Sequence, residues 1–252
     1  FLLGRSPHRS VLEHMGIRKA ILILACAGLG LAQEMAGRAE ALMKAYVEQH
    51  KFSGAVLVAR AGKVEFQQAY GLANRDWNVP NTLTTKFRIG SVTKPITAVA
   101  ILKLEEQGKL KTSDAACQYL PACPAAWRPV TIQHLLNHTS GIPGFTEKAE
   151  YDRIKRLPSR YEEQTKAVWE VPLKFTPGEK FDYSNTGYVM LGQIIEKAAG
   201  KPYELYLREA IFAPAGMHQT AVDNSRAVIA QRALGYRSNA GNPTVADHID
   251  MS

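Results

Sequence analysis

Only one stretch of this chain, residues 53–70, reads as a pair of strands, and two strands alone are a poor platform for the helices around them. Ser53 to Arg60 is short and mostly apolar, Ala61-Gly62-Lys63 supplies a turn, and Val64 to Tyr70 resumes as an extended segment. Ahead of this hairpin, Ala36 to His50 carries Leu42, Met43, Tyr46 and Val47 on a helical repeat. Behind it the pattern turns helical. Val92 to Gln107 has Pro95 in its first turn, where a missing N–H costs nothing, and Gly108 at its C-terminal cap. Thr131 can N-cap a short helix through His138, which stops at Ser140-Gly141-Ile142-Pro143-Gly144. Thr186 to Ala199 is another helix, closed by Gly200, and Pro202 to Phe212 a further one; the stretch after Val222 reads as loop. This is an α+β order whose sheet is short of strands, and the remaining strands are expected after Ser252.

The N-terminus does not read as part of the fold. Met15 is followed by Arg18 and Lys19 and then by the apolar run Ala20 to Ala32, the charged and apolar regions of a secretory signal. Gly30 and Ala32 place cleavage after Ala32; the alternative is a buried N-terminal helix. The run is too short for a stable membrane span. Residues 1–14 precede a plausible start and read as upstream read-through. Cys26 lies inside the signal, and a lipoprotein box would want a cleaner sequence than Ile23-Leu24-Ala25-Cys26. Residues 1–32 carry Arg5, Arg9, Arg18 and Lys19 against Glu13, so removing them takes +3 from the net charge of +8 and leaves +5. The remaining basic residues are scattered. With no zinc-finger spacing, phosphate loop or RNA-binding aromatic signature, no nucleic-acid partner is expected. Export implies an oxidising compartment, so Cys117 and Cys123 are expected to pair in a small loop; the alternative is two inert buried thiols.

Two segments carry chemistry. Ser91-Val92-Thr93-Lys94 starts a helix, and the i, i+3 spacing puts both side chains on one face. A serine hydroxyl is a weak nucleophile until a base takes its proton, and a lysine in positive potential can be that base. The helix N-terminus supplies such potential and points N–H groups at a developing oxyanion. The alternative for the same residues is an N-capping serine beside a surface lysine. Tyr183-Ser184-Asn185 also stands immediately before a helix. A tyrosine near an ammonium can share general-base work, and an asparagine amide offers a donor and an acceptor. Its alternative is a cap asparagine beside a half-buried tyrosine. His138 and Ser140 are tempting as a second site, but there is no Gly-x-Ser-x-Gly elbow for a hydrolase triad.

Taken in order, Phe87-Arg88-Ile89-Gly90-Ser91-Val92-Thr93-Lys94, Leu104 to Leu110, Thr131 to Pro143 and Phe175 to Tyr188 resemble the β-lactamase-related serine hydrolases over roughly residues 38–222. That family contains class C β-lactamases, D-alanyl-D-alanine carboxypeptidases and esterases. The resemblance implies an α+β fold of the β-lactamase/transpeptidase type, an antiparallel sheet flanked by helices with a helical subdomain at about 87–222. It implies Ser91 as acyl-forming nucleophile, Lys94 as its activating partner and Tyr183 as base and then acid. Asn185 would contact substrate or Lys94, and His138 and Ser140 would hold the loop beside the cleft. No metal or cofactor is implied. The substrate would be a β-lactam, a D-amino-acid peptide or an ester, and the protein an exported, periplasmic or extracellular monomer.

One family feature is not found. The third motif, Lys or His followed by Thr/Ser-Gly, which supplies one oxyanion N–H, has no counterpart in residues 33–252. The domain therefore reads as C-terminally truncated, and the chain as it stands is expected to be inactive or poorly folded. The rival reading is a non-catalytic penicillin-recognising or cell-wall-binding module.

Overall fold

The computed structural model describes residues 34–158, 161–237 and 242–249, with the backbone alone at 161–162. The expected signal at 15–32, the read-through before it and Cys26 lie outside the described residues. Two compact units are present, one holding the chain through Phe87 with Ala230–Ala246, the other Arg88–Ile229 with Asp247–Ser252.

In the first unit, helix α1 spans 34–48, somewhat earlier than the expected 36–50, and ends where His50 takes a left-handed φ of 54°. Strands β1 (Gly54–Arg60) and β2 (Lys63–Tyr70) form an antiparallel hairpin. Ala61 and Gly62 both have positive φ, 47° and 76°. A two-residue turn of that kind matches strand twist, so Lys63 pairs with Arg60 and the second strand starts one residue earlier than the sequence indicates. Two small antiparallel pairs follow, β3 (Leu72–Asn74) with β4 (Val79–Pro80), and β5 (Tyr236–Arg237) with β6 (Thr244–Val245). The last pair corrects the expectation of plain loop after Val222: two-residue strands are too short to show an alternating pattern.

The second unit is helical. A 3-10 turn, Gly90–Val92, runs into α2 (Thr93–Glu106). Short helices α3 (Ile132–Leu136), α4 (Ala149–Ile154) and α5 (Tyr161–Lys166) follow, then α6 (Asn185–Ala199) and α7 (Tyr203–Leu207). Five further residues, Arg208–Phe212, continue as a π turn. The core forms where Ala100, Ile101 and Leu104 of α2 meet Met190, Leu191, Ile194 and Ile195 of α6, with Leu135, Trp127 and Leu207 around them, each no more than 1% exposed. Full burial of a side chain of this size contributes roughly 1.5–3 kcal/mol, so α6 is the element the unit is built on. The six-residue α4 and α5 carry no apolar repeat long enough to be read in advance.

Helix α3 ends earlier than expected. Asn137 is its C-cap, and His138 is left-handed at φ 58° rather than helical. Leaving the helix lets the His138 carbonyl accept from the Asp182 N–H at 2.8 Å and its Nδ1 from the Ser184 N–H at 3.1 Å. The loop beyond is pinned as tightly. Gly141 (φ 73°) accepts at its carbonyl from the Lys174 N–H at 2.8 Å, and a Cβ there would lie 2.5 Å from the Phe175 carbonyl oxygen. Cys117 and Cys123 are disulfide-bonded, with Cα atoms 5.5 Å apart.

Gly141→Ala adds both a strained φ and an overlap with backbone, and is expected to lower unfolding free energy in urea by about 3 kcal/mol. Reducing the Cys117–Cys123 bridge frees a short loop and is expected to cost about 2 kcal/mol in the same measurement.

Candidate active site

Gly90 takes a left-handed φ of 52°, which glycine adopts freely, and turns the chain from Ile89 into the helical path that carries Ser91 and Lys94. Three residues apart on that path, the two side chains meet: Lys94 Nζ donates to Ser91 Oγ at 3.2 Å. Ser91 is not the N-cap of α2, since Val92 holds that position and makes no side-chain cap bond.

The partner segment is placed by the start of α6. Ser184 is its N-cap, extended at φ −132°, 2% exposed, with its Oγ accepting from the Gly187 N–H. In extended backbone, side chains two apart project to the same face and the one between them to the other. Burying Ser184 in the cap therefore sends Tyr183 and Asn185 the same way, towards Ser91 and Lys94. Tyr183 OH lies 2.7 Å from Ser91 Oγ, and Asn185 Oδ1 accepts from Lys94 Nζ at 2.9 Å. All four residues singled out in the sequence are thus joined in one hydrogen-bonded chain. Ser91 is exposed and Tyr183 is 42% exposed, so the hydroxyl pair faces solvent, while Lys94 and Asn185 are half-buried behind it.

Several contacts here have no signal in the spacing. The Lys94 ammonium lies 4.7 Å from the Tyr183 ring centroid and 5.5 Å from that of Tyr188, so both ring faces help hold the charge. His138 packs at 4.6 Å on Tyr183 and 5.0 Å on Tyr188. Asn185 Nδ2 donates to Thr146 Oγ1 at 3.0 Å. Tyr188 stands one turn after Asn185 on α6, which a helical reading could have paired with it. Thr146 sits in a loop that sequence alone connects to nothing. Ser140 is 2% exposed and its Oγ accepts from the Ile142 N–H, so it shapes the loop and does not meet His138 as a nucleophile–base pair.

The charge of Lys94 organises the proton affinities. Its ammonium, first by hydrogen bond, and then the Ser91 hydroxyl hold the Tyr183 phenol below its ordinary 10, against the opposing effect of burial. Burial and then the Lys94 charge push His138 below its ordinary 6.5, with Asp182 opposing. A neutral imidazole is what the Nδ1 acceptor role requires. Among the described residues no group of three or more His, Cys, Asp or Glu is arranged to hold a metal ion, and no helix is long and apolar enough to cross a membrane.

The beta-lactamase family profile matches residues 39–251. Penicillin-binding protein 4* of Bacillus subtilis is 38% identical over 189 residues, 74% of this chain and 42% of that one. A crystal structure of a penicillin-binding protein from Bacillus halodurans superposes with a TM-score of 0.72 at 32% identity, covering 80% of this chain and 62% of the other. EstCE1, described as a hydrolase with promiscuous acyltransferase activity, gives 0.75 at 28% identity, covering 86% and 60%. The chain spans about half the length of the sequence relatives it matches.

With Tyr183 held by Lys94, tyrosine-labelled NMR is expected to show one phenol titrating below the ordinary value, identified by its loss in Tyr183→Phe. Lys94→Met is expected to return that titration upward, because the first cause of the shift is gone. A Tyr183 titration unmoved by Lys94→Met contradicts this account.

Proposed function

The chain belongs to the beta-lactamase family, and we propose that its site forms an acyl-enzyme on Ser91, with a β-lactam, a D-amino-acid peptide or an ester as acyl donor. One observation carries the reading: Ser91 Oγ has the Lys94 ammonium at 3.2 Å and the Tyr183 hydroxyl at 2.7 Å, so a proton has a defined path off the nucleophile. The names of the relatives, penicillin-binding proteins and a hydrolase with promiscuous acyltransferase activity, support an acyl-transferring site.

In this mechanism the ionised form of Tyr183, favoured by the neighbouring Lys94 charge, takes the Ser91 proton as Oγ bonds to the carbonyl carbon. The Ser91 N–H, at the start of a helical path where N–H groups lack intrahelical partners, faces the oxyanion. Collapse breaks the bond to the leaving group, which departs with the proton that Tyr183 returns. Water repeats the sequence: Tyr183 takes its proton, the hydroxide adds to the acyl carbon, and Ser91 leaves with the proton restored. Lys94 holds its charge beside the Tyr183 oxygen throughout, so the two side chains work as one unit. Asn185 keeps Lys94 in reach through its carbonyl oxygen. We also take the chain to be exported, a reading supported by the charged and apolar order of residues 15–32 and by relatives named for penicillin binding.

The test is stoichiometric acylation, which reads bond formation at Ser91 without requiring turnover. A fluorophosphonate, a penicillin and an activated ester are each incubated with the protein and adducts mapped by mass spectrometry. The expected result is one adduct, on Ser91, absent from Ser91→Ala and slowed at least about a hundredfold in Lys94→Met and Tyr183→Phe. No adduct, or an adduct that survives Ser91→Ala, overturns the proposal.

A further inference from the structure

Asn185 answers to two partners at once. Its carbonyl oxygen accepts from the Lys94 ammonium at 2.9 Å, and its amide nitrogen donates to Thr146 Oγ1 at 3.0 Å. A primary amide carries acceptor and donors at opposite corners of one planar group. Turned over, it would present N–H groups to an ammonium that has only donors, and Lys94 would lose an acceptor. The orientation that serves Lys94 is therefore the one in which Nδ2 points at Thr146, and a hydroxyl there rewards it.

Thr146 is not free to drift. It is the middle residue of the 3-10 turn Phe145–Glu147. On one side of it, the Phe145 N–H donates to Thr186 Oγ1 at 3.0 Å, and the same hydroxyl donates to the Pro143 carbonyl at 2.7 Å. Thr186 is fully buried and follows Asn185 directly in the first turn of α6. On the other side, Glu147 shares the Lys174 ammonium with Asp182, at 3.2 and 2.7 Å, and Asp182 precedes Tyr183. The turn is thus fastened to both neighbours of the Tyr183-Ser184-Asn185 segment, and its hydroxyl is held where the Asn185 amide needs an acceptor.

We propose that Thr146 is a positioning residue for the nucleophile: it fixes the Asn185 amide with Oδ1 on Lys94, and through Lys94 sets the hydrogen bond to Ser91 Oγ. The consequence for the reaction rests on the acyl-enzyme reading; the hold on Asn185 does not. Thr146 does not touch the reacting atoms. Its effect runs through three successive hydrogen bonds, Thr146 to Asn185, Asn185 to Lys94 and Lys94 to Ser91. Valine matches threonine in shape and lacks the acceptor, while serine keeps the acceptor and loses the methyl group. The pair separates hydrogen bonding from packing.

Two measurements are made on wild type, Thr146→Val and Thr146→Ser. The first is solvent exchange of the Asn185 side-chain amide by ¹⁵N NMR, assigned by its absence in Asn185→Asp; it needs no activity. The second is the rate and pH profile of Ser91 acylation by the activated ester. Thr146→Val is expected to speed exchange and slow acylation, each by about tenfold, as the loss of one hydrogen bond implies. It is also expected to displace the acylation pH profile. Thr146→Ser is expected to stay within about twofold of wild type in both measurements. Unchanged exchange in Thr146→Val overturns the proposal, as does faster exchange with unchanged acylation. So does a Thr146→Ser protein as impaired as Thr146→Val, which would assign the effect to packing. If wild type itself is not acylated, the acyl-enzyme reading fails, and the exchange measurement still decides whether Thr146 holds Asn185.

Discussion

The buried N-cap at Ser184 is the constraint on which the site depends. An N-cap that bonds through its side chain typically takes extended backbone and turns that side chain back onto the helix. Because Ser184 does both, the residues on either side of it, Tyr183 and Asn185, project together and away from the cap. The Ser184 N–H is taken by His138 Nδ1, so the extended conformation is held from outside the helix as well as from within. The same histidine packs on the Tyr183 ring, and its carbonyl accepts from the Asp182 N–H. A residue that reads as the end of a short helix is instead the brace of the segment that meets Ser91.

The second organising element is a single positive charge. Lys94 is half-buried, and its ammonium is shared among the Ser91 hydroxyl, the Asn185 carbonyl and the ring faces of Tyr183 and Tyr188. Burying a cation is costly unless it is hydrogen-bonded, and these partners supply that without a carboxylate. A carboxylate would neutralise the field. Neutral acceptors and ring faces leave it in place, so the phenol beside it loses its proton more readily and the imidazole gains one less readily. By contrast, the carboxylates Glu147 and Asp182 are bound to Lys174, a second lysine on the outer side of the loop. The two lysines divide the labour: Lys174 fastens segments and Lys94 polarises the hydroxyls.

Much of this site was legible in sequence because its two halves are each local. Ser91 and Lys94 share a face by helical spacing, and Tyr183 and Asn185 share one across an extended cap. Helix α6 was legible too, from its apolar repeat and the left-handed Gly200 that closes it. The misses have a common cause. All are short: the early end of α3 at His138 is set by hydrogen bonds from Asp182 and Ser184, and the two-residue strands near the C-terminus and the six-residue helices α4 and α5 hold too few residues to show a repeat. No periodicity within a few residues can encode that.

The sequence by itself determined the chemical alphabet of this protein: a serine with a lysine one turn on, a tyrosine and an asparagine flanking a cap serine, and glycines at positions where the chain must turn left-handed. These follow from local stereochemistry, which a sequence states directly. Only the tertiary structure decided that Ser91 Oγ and Tyr183 OH, 92 residues apart, lie 2.7 Å from each other. It also decided that the Asn185 amide faces Lys94 with its oxygen, and that Thr146 receives the other end. Those outcomes depend on α2 and α6 packing through their buried faces and on the loop that carries Thr146 being tied to α6. They are relations between segments, set by the shape of a shared core and by hydrogen bonds that close across it.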